Sequence, residues 1–197
     1  GYIIFAVADC TGHGVPGALM SVVCANALNR TVNEFMITDP GKILDTVREL
    51  IIASFDTGSH EMNDGMDISL CCWQPTTQML HWAGANNPLW YVRNGLISEL
   101  KGDKQPVGRF SHIKPFTTHQ LEVKAGDQFY LFSDGFPDQF GGKEGKKFKY
   151  RQFKELLLAG AAQNPEKQTA LLRDFFTTWK GNLEQIDDVC VMGVRLV

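Results

Sequence analysis

The sequence predicts a layered α+β fold, with antiparallel sheets inside and helices outside, in one domain that spans residues 1–197. Two observations favour this fold class. Apolar residues recur with helical spacing in one pair of segments near the start of the chain and in another pair near its end. Between these pairs, short segments rich in β-branched and aromatic residues alternate with turn residues, which is typical of antiparallel strands.

The chain opens with a strand and two helices. Tyr2–Ala8 is predicted to be a buried strand, which the glycine-rich string DCTGHGVPG ends. Pro16 suits the first turn of a helix that continues to about Glu34. Asp39 is a good N-cap for a second helix, with Pro40 in its first position. The apolar residues expected to face the core are Val15, Ala18, Leu19, Val22 and Val23 in the first helix and Ile43, Leu44, Val47, Leu50 and Ile51 in the second.

The middle of the chain changes to the pattern of strands, and helices return near its end. Asn94-Gly95 indicates a tight hairpin because both residues tolerate positive φ. The predicted strands are Asp67–Trp73, Met79–Ala83, Leu89–Arg93, Leu96–Leu100, Phe116–Val123, Gln128–Phe132 and Val189–Val197. The predicted helices are Tyr150–Gln163 and Pro165–Lys180.

Composition and charge argue against several classes of partner. The net charge is −3 and no dense block of Lys or Arg occurs, so nucleic acid is not an expected partner. The apolar run Tyr2–Ala8 is too short to span a bilayer, so no membrane contact is expected. The five cysteines include no C-x-x-C pair, which fits a reducing cytoplasm better than a disulfide framework or a zinc site.

Three acidic residues stand at predicted strand ends. Asp9 follows the first strand, Asp134 follows Gln128–Phe132, and Asp187 precedes the last strand. Carboxylates that converge repel each other unless a cation lies between them, and oxygen ligands favour Mg²⁺ or Mn²⁺. Such a site would serve metal-assisted phosphoester hydrolysis. The alternative is that each is a solvated turn residue, and spacing alone does not show that the three meet in space.

Five motifs resemble the SpoIIE-type phosphatases of the PPM family, in that family's order. ADCTGHGVPGALM resembles its D-x-[ST]-G-H-G-x-[PA]-A-x-x-M signature, and LFSDGFPD resembles its [ST]-D-G-x-x-[ED] segment. AGANNPLWYVRNG looks like its A-G-H-x-P hairpin, with Ala85 where His is usual. QPVG resembles its P-[LI]-G turn, and DDVCVMGVRL resembles its terminal strand. The resemblance covers almost the whole chain.

The resemblance implies a four-layer αββα sandwich with two mainly antiparallel sheets and a centre of two Mn²⁺ or Mg²⁺ ions. Asp9 matches the carboxylate that bridges both ions, and Cys10 matches the residue that lends its backbone carbonyl to one of them. Asp134 and Asp187 match the two remaining ligands. The implied reaction is in-line attack on phosphorus by a metal-activated water, without a covalent enzyme intermediate. Asp188 matches a variable position and stays outside the ligand set.

Several nearby residues keep alternative interpretations. His13 is either a general acid for the leaving seryl oxygen or part of a turn with its imidazole bonded to backbone. Asp67 either joins the metal site or is an ordinary strand residue, and Asp138 either supports the ligands or is solvated. The lysine-rich segment 141–151 is either a solvated loop or part of a substrate-docking flap.

The family's G-G-D motif, which supplies another metal-binding carboxylate, is not found before Asp9. The expectation is a domain that lacks its N-terminal strand pair and is the C-terminal part of a larger signalling protein with an upstream sensor domain. The unpaired sheet edge invites pairing with a second copy.

The expected function is hydrolysis of phosphoserine and phosphothreonine on a regulatory protein, of the anti-anti-sigma type, in bacterial signalling. One alternative is a pseudophosphatase that binds its partner without catalysis. A phosphoesterase for small molecules is a second alternative, weakened by the absence of a G-x-x-x-x-G-K-[ST] loop.

Overall fold

The computed structural model describes residues 1–55 and 65–196. The chain divides into two compact units: unit 1 contains Gly1–Leu89 and Leu100–Val123, and unit 2 contains Trp90–Glu99 and Lys124–Val197. The helices are α1 (Gly14–Asn33), α2 (Pro40–Ser54), α3 (Gly135–Asp138), α4 (Tyr150–Gly160) and α5 (Pro165–Lys180). The strands are β1 (Ile3–Cys10), β2 (Gly65–Gln74), β3 (Met79–Ala85), β4 (Leu89–Arg93), β5 (Leu96–Leu100), β6 (Val107–Gly108), β7 (His119–Glu122), β8 (Gln128–Phe132), β9 (Phe140–Gly141), β10 (Lys146–Lys147) and β11 (Val191–Arg195).

These elements confirm the α+β class with antiparallel sheets. The predicted helix Pro165–Lys180 and the strands β4, β5 and β8 have the predicted bounds. The short strands β6, β9 and β10 were not predicted, because two-residue strands carry no periodic signal. The last strand is shorter than predicted, and Val197 lies outside the described residues. Within the described ranges, no helix combines the length and the apolar character needed to cross a membrane.

Unit 1 is built on one antiparallel sheet, covered by α1 and α2. The strand order is β1-β2-β3-β7, and β6 pairs with the start of β2. In the β1–β2 register, Asp9 is opposite Asp67 and Cys10 is opposite Met66. The sheet therefore fixes which residues of β2 lie beside Asp9.

Helix α2 forms for the reasons predicted. The Asp39 carboxylate accepts a hydrogen bond of 2.9 Å from the Lys42 amide, and Pro40 occupies the first helical position. Its predicted stripe faces the core: Ile43, Leu44 and Val47 are 0% exposed, Ile51 is 1% exposed, and Leu50 is partly buried against the same core. Burial of that stripe against the sheet supplies most of the stabilisation of a 15-residue helix.

Helix α1 has the predicted position but presents the opposite face to the core. Val15, Leu19 and Val22 are 74%, 63% and 66% exposed, and Ala18 is also exposed. The prediction that this stripe is buried is therefore wrong except at Val23, which packs against the core. The buried residues are instead Gly17, Met20, Cys24, Ala27 and Thr31. On this face α1 approaches the preceding loop closely: a Cβ atom at Gly17 would lie 2.5 Å from the Gly12 carbonyl oxygen. Because both faces are mainly uncharged, periodicity alone did not distinguish them.

This orientation of α1 predicts unequal effects for two adjacent side chains. Met20→Ala is expected to lower the free energy of unfolding by about 2–5 kcal/mol, because Met20 is 4% exposed in the core. Leu19→Ala is expected to change it by less than about 0.5 kcal/mol, because most of that side chain is already in water. Urea unfolding measures both variants. Equal losses in the two variants would contradict the orientation described here.

The segment 101–118 crosses α2 with little regular structure but several specific bonds. Arg48 donates to the Lys114 carbonyl (3.0 Å), and its guanidinium lies over the Phe116 ring. The Gln105 side chain makes two hydrogen bonds with the Lys114 backbone, at 2.7 and 3.0 Å. The Phe116 amide donates to Asp45 (3.2 Å). The prediction that a strand begins at Phe116 is therefore wrong: this backbone binds α2, and β7 begins only at His119.

Unit 2 is built on a second antiparallel sheet with an aromatic core. Its strand order is β11-β8-β4-β5. The hairpin between β4 and β5 turns at Asn94 and Gly95, whose φ angles of 52° and 74° match the predicted tight turn. The core residues, packed with α4 and α5, are Trp90, Val92, Tyr130, Phe132, Phe136, Phe148, Phe153 and Leu157.

A buried ion pair joins β4 to the turn before β8. Arg93 donates to both carboxylate oxygens of Asp127, at 2.8 and 2.5 Å. The Asp127 side chain is only 1% exposed, whereas that of Arg93 is 25% exposed. Asp127 also accepts a 2.8 Å hydrogen bond from the Lys124 amide. The carboxylate is therefore fully dependent on protein partners for the hydrogen bonds that water would otherwise supply.

Candidate metal centre

Asp9 lies one residue before the end of β1 and is half-buried. The loop that follows is tied to the start of β2, because the Thr11 amide donates to the Gly65 carbonyl and the Gly65 amide donates to Thr11 Oγ1, both at 3.0 Å. Strand pairing on one side and this pair of bonds on the other restrict the backbone at Asp9. A carboxylate held in this way is pre-organised for a ligand.

Asp67 is the nearest acidic neighbour of Asp9 in the β1–β2 register. Its carboxylate accepts a 2.7 Å hydrogen bond from Asn86 Nδ2. Burial raises the pKa of Asp67, and the bond from Asn86 partly opposes that rise. Asn86 was missed by the sequence analysis. The available signal was the Asn-Asn pair after β3, where Asn86 has a φ of 57°, which is uncommon for a residue other than glycine.

His13 precedes α1 in an extended conformation and is exposed. Its side chain makes no capping hydrogen bond to the helix. Gly12 adopts a φ of 92° beside it, which only glycine reaches easily. The loop therefore places the imidazole in solvent next to the end of β1.

The Cys10 thiol faces α1. It is hydrogen-bonded to the thiol of Cys24, which lowers the pKa of Cys10 to about 7 although burial opposes the change. Ser21, whose hydroxyl donates to the Gly17 carbonyl (3.0 Å), stands on the same helix and also lowers the pKa of Cys10. The side chain thus has partners of its own and leaves only the backbone of Cys10 as a candidate ligand.

In unit 2, Asp134 and Asp187 come together although 53 positions separate them in the sequence. Each offers a carboxylate oxygen, and these two oxygens lie within 4.8 Å of each other. Asp134 is half-buried at the start of α3, and Asp187 is exposed before β11. Two carboxylates at this spacing repel each other unless a cation or a proton lies between them. Their oxygen donors suit Mg²⁺ or Mn²⁺.

The residue between β8 and Asp134 holds this pair in place. The Ser133 hydroxyl donates to the Asp188 carbonyl (2.8 Å) and accepts from the Cys190 amide (2.9 Å). The Ser133 amide also donates to the Cys190 carbonyl (3.0 Å). The backbone before Asp134 is therefore bound directly to the backbone after Asp187. This role of Ser133 was not predicted, because both partners are more than 50 residues away.

Gly135 is required by the same close approach. A Cβ atom there would overlap the Asp188 carbonyl oxygen. Gly135→Ala is therefore expected to lower the free energy of unfolding by about 1–3 kcal/mol, because the segment that carries Asp187 must move.

Gly160→Ala is the matched control for this change. Its Cβ would meet only side-chain atoms, Gln168 Cγ and Leu171 Cδ2, both at 3.2 Å, and no backbone. Urea unfolding of the two variants gives the comparison. If both variants had the free energy of unfolding of the unmodified protein, the contact between Gly135 and the Asp188 carbonyl would not restrict the size of the residue at position 135.

The lysine-rich segment after Asp134 forms a small hairpin. Strands β9 and β10 pair antiparallel, with Lys146 opposite Gly141. Lys147 forms an ion pair with Asp138 at 2.8 Å. Asp138 is therefore not simply solvated, and it tethers the hairpin to α3.

Comparisons with known proteins identify the fold and the family of this chain. The SiaA-PP2C domain of Pseudomonas aeruginosa has a TM-score of 0.89 and 28% identity, over 100% of this chain and 80% of that chain. The PP2C phosphatase domain of the cell fate determinant SpoIIE from Bacillus subtilis has a TM-score of 0.72 and 17% identity, over 99% and 57%. The PPM Ser-Thr phosphatase MsPP from Mycobacterium smegmatis has a TM-score of 0.66 and 16% identity, over 99% and 88%. No curated protein matches the chain significantly.

The fold is therefore that of a PP2C-type phosphatase domain, of the PPM class. The family description "Stage II sporulation protein E (SpoIIE)" matches residues 1–197, and the chain belongs to this family. The resemblance recognised in the sequence is confirmed. The ligand roles of Asp9, the Cys10 carbonyl, Asp134 and Asp187 stay predictions.

Proposed function

We propose that this domain hydrolyses phosphoserine and phosphothreonine on a regulatory protein with the help of two Mn²⁺ or Mg²⁺ ions. The observation that carries the proposal is the Asp134–Asp187 pair, whose carboxylate oxygens lie within 4.8 Å of each other. Both residues stand in motifs of the SpoIIE family, to which the whole chain belongs. A divalent cation requires paired carboxylates on a backbone that is held in place. A turn with only a structural role does not require them.

Four residues would hold the ions. Asp134 and Asp187 would supply carboxylates, and the family resemblance assigns a carboxylate of Asp9 and the backbone carbonyl of Cys10 to the same ions. Divalent cations lower the pKa of a water molecule and neutralise phosphoryl oxygens when bound in such a site.

The remaining contributions come from the chain itself. Ser133 and Gly135 keep the separation of Asp134 and Asp187 fixed, so little rearrangement is needed when a ligand arrives. The exposed imidazole of His13 is the candidate proton donor to the departing seryl oxygen, because it is the titratable group on the loop next to Asp9.

The resemblance to the family supports a proposal for the substrate class. We propose a phosphorylated regulatory protein of the anti-anti-sigma type as the partner and the cytoplasm as its location. Five cysteines without a C-x-x-C pair are consistent with a reducing compartment.

Release of phosphate from a phosphoseryl protein tests the proposal. The full-length protein is expected to require Mn²⁺ or Mg²⁺, to lose activity in excess chelator, and to recover when the metal is restored. Turnover that persists in excess chelator would show that the reaction does not depend on a metal. Metal binding without release of phosphate from any phosphoprotein would instead identify a pseudophosphatase.

A further inference from the structure

Cys10, at the end of β1, packs against the core cluster that contains Cys24, in the third turn of α1, and the two thiols interact. Ser21 and Cys24 are three residues apart on α1, so both lie on the helix face that meets β1. Cys24 belongs to the hydrophobic core of unit 1, and Cys10 packs against that core. The contact between the two sulfurs therefore follows from the way α1 packs on the sheet.

The two thiols differ in their access to solvent. Cys24 is 2% exposed, whereas Cys10 is half-buried at the end of its strand. A small oxidant therefore reaches Cys10 first and meets Cys24 only through it. This is the arrangement of an attacked thiol with a resolving thiol beside it.

The other three cysteines lack this arrangement. Cys71 and Cys72 are adjacent residues of β2 with 0% exposure, and successive strand residues point to opposite faces of a sheet. Cys190 is exposed in unit 2. The chain thus contains internal controls for burial and for exposure.

We propose that Cys10 and Cys24 are a redox modification site, at which a peroxide drives formation of an intramolecular disulfide. The site goes beyond the proposed phosphatase function, and its formation does not depend on that function.

The chemistry balances with a peroxide as the oxidant. The Cys10 sulfur attacks one oxygen of hydrogen peroxide, and the O–O bond breaks. That oxygen stays on Cys10, which becomes a sulfenic acid, and the other oxygen leaves as water. The Cys24 thiol then attacks the Cys10 sulfur, the S–O bond breaks, and a second water carries away the oxygen and the thiol proton. Two thiols are oxidised by two electrons, and one peroxide is reduced to two waters.

The disulfide changes local geometry. Its sulfur atoms must lie about 2.05 Å apart, which is closer than hydrogen-bonded thiols, so the backbone at Cys10 moves toward α1. Asp9 is the preceding residue and shares that backbone. If the proposed metal site is correct, the oxidised protein is expected to bind Mn²⁺ at least about tenfold more weakly, which corresponds to about 1.4 kcal/mol.

Mass spectrometry of the wild-type protein gives the primary test. Both cysteines lie in residues 1–30, which contain no Lys or Arg before Arg30, so trypsin leaves them in one peptide. After exposure to hydrogen peroxide and alkylation, this peptide is expected to be two hydrogen atoms lighter and to carry no alkyl group. Dithiothreitol is expected to restore two alkylation sites. Cys71 and Cys72 are expected to be alkylated only after denaturation, as in the untreated protein.

Cys24→Ala is the matched variant, because it removes the resolving thiol and leaves Cys10. In this variant peroxide is expected to leave Cys10 as a sulfenic or sulfinic acid, trapped by dimedone or seen as added oxygen. The proposal is overturned if wild-type peptide 1–30 keeps both thiols, or if Cys10 is over-oxidised in the wild type as it is in the variant. Failure of Mn²⁺ binding to respond, with the disulfide present, would count against the proposed metal site and not against the modification site.

Discussion

Asp9→Asn is expected to reduce metal-dependent release of phosphate from a phosphoseryl protein by at least about 100-fold, or about 2.7 kcal/mol in the activation free energy. Asp9 is the proposed bridging ligand, and an amide lacks the negative charge that holds two cations close together. The substitution keeps the size of the side chain, so β1 and its pairing with β2 are preserved.

Asp174→Asn is the matched control for this experiment. Asp174 is an exposed residue of α5, and the same loss of charge there is expected to leave activity and Mn²⁺ affinity unchanged. Calorimetric titration with Mn²⁺ is expected to show weaker binding in Asp9→Asn alone. Full activity in Asp9→Asn, with an unchanged unfolding curve, would exclude Asp9 from the site.

Asp127→Asn is expected to lower the free energy of unfolding by about 3 kcal/mol. The substitution leaves the Arg93 guanidinium, which now donates to both carboxylate oxygens, facing a neutral amide in a site that is 1% exposed on the aspartate side. Glu155→Gln breaks the exposed pair with Arg151 and serves as the control, with an expected loss below about 1 kcal/mol. Equal losses in both variants would show that burial of the Arg93 pair has no special effect.

The same ion pair gives a defined dependence on pH. Burial raises the pKa of Asp127, but the bonds from Arg93 and Lys124 outweigh it and hold the pKa below its ordinary value of 3.8. A lowered pKa stabilises the folded state above the unfolded value, and this stabilisation is lost as the pH falls through the folded value. The difference between wild type and Asp127→Asn is therefore expected to be constant near neutral pH and to narrow below about pH 4. Urea midpoints measured across this range provide the check.

Local chemical signals in the sequence predicted most of the elements. Asp39 and Pro40 indicated where α2 begins, and Asn94-Gly95 indicated a turn whose geometry the structure confirms. Such signals act within a few residues, so tertiary packing changes them little. The motifs around Asp9, Asp134 and Asp187 likewise identified the family that the comparisons confirm.

Contacts between distant segments could not be predicted in this way. The orientation of α1 shows why: Leu19 and Met20 are both apolar, and which of them is buried depends on contacts with distant residues of the core and on the close approach of Gly17 to the Gly12 loop. The roles of Asn86 and Ser133 could not be predicted for the same reason. The partner of Asn86, Asp67, is 19 residues away, and the partners of Ser133 are farther away. Each of these residues acts through a neighbour that a single sequence does not reveal.

The binding of segment 101–118 to α2 also determines how a protease meets this protein. Trypsin recognises Lys104 and Arg109, which stand in a stretch without long strands or helices and would ordinarily be cut quickly. A protease must draw several residues into an extended strand within its cleft, and here Arg48 and the Gln105 side chain hold the backbone at Lys114 in place. The rate of cleavage in segment 101–118 is therefore set by the separation of this segment from α2. Measured cleavage reports the local opening of unit 1 and not the motion of a loosely attached loop.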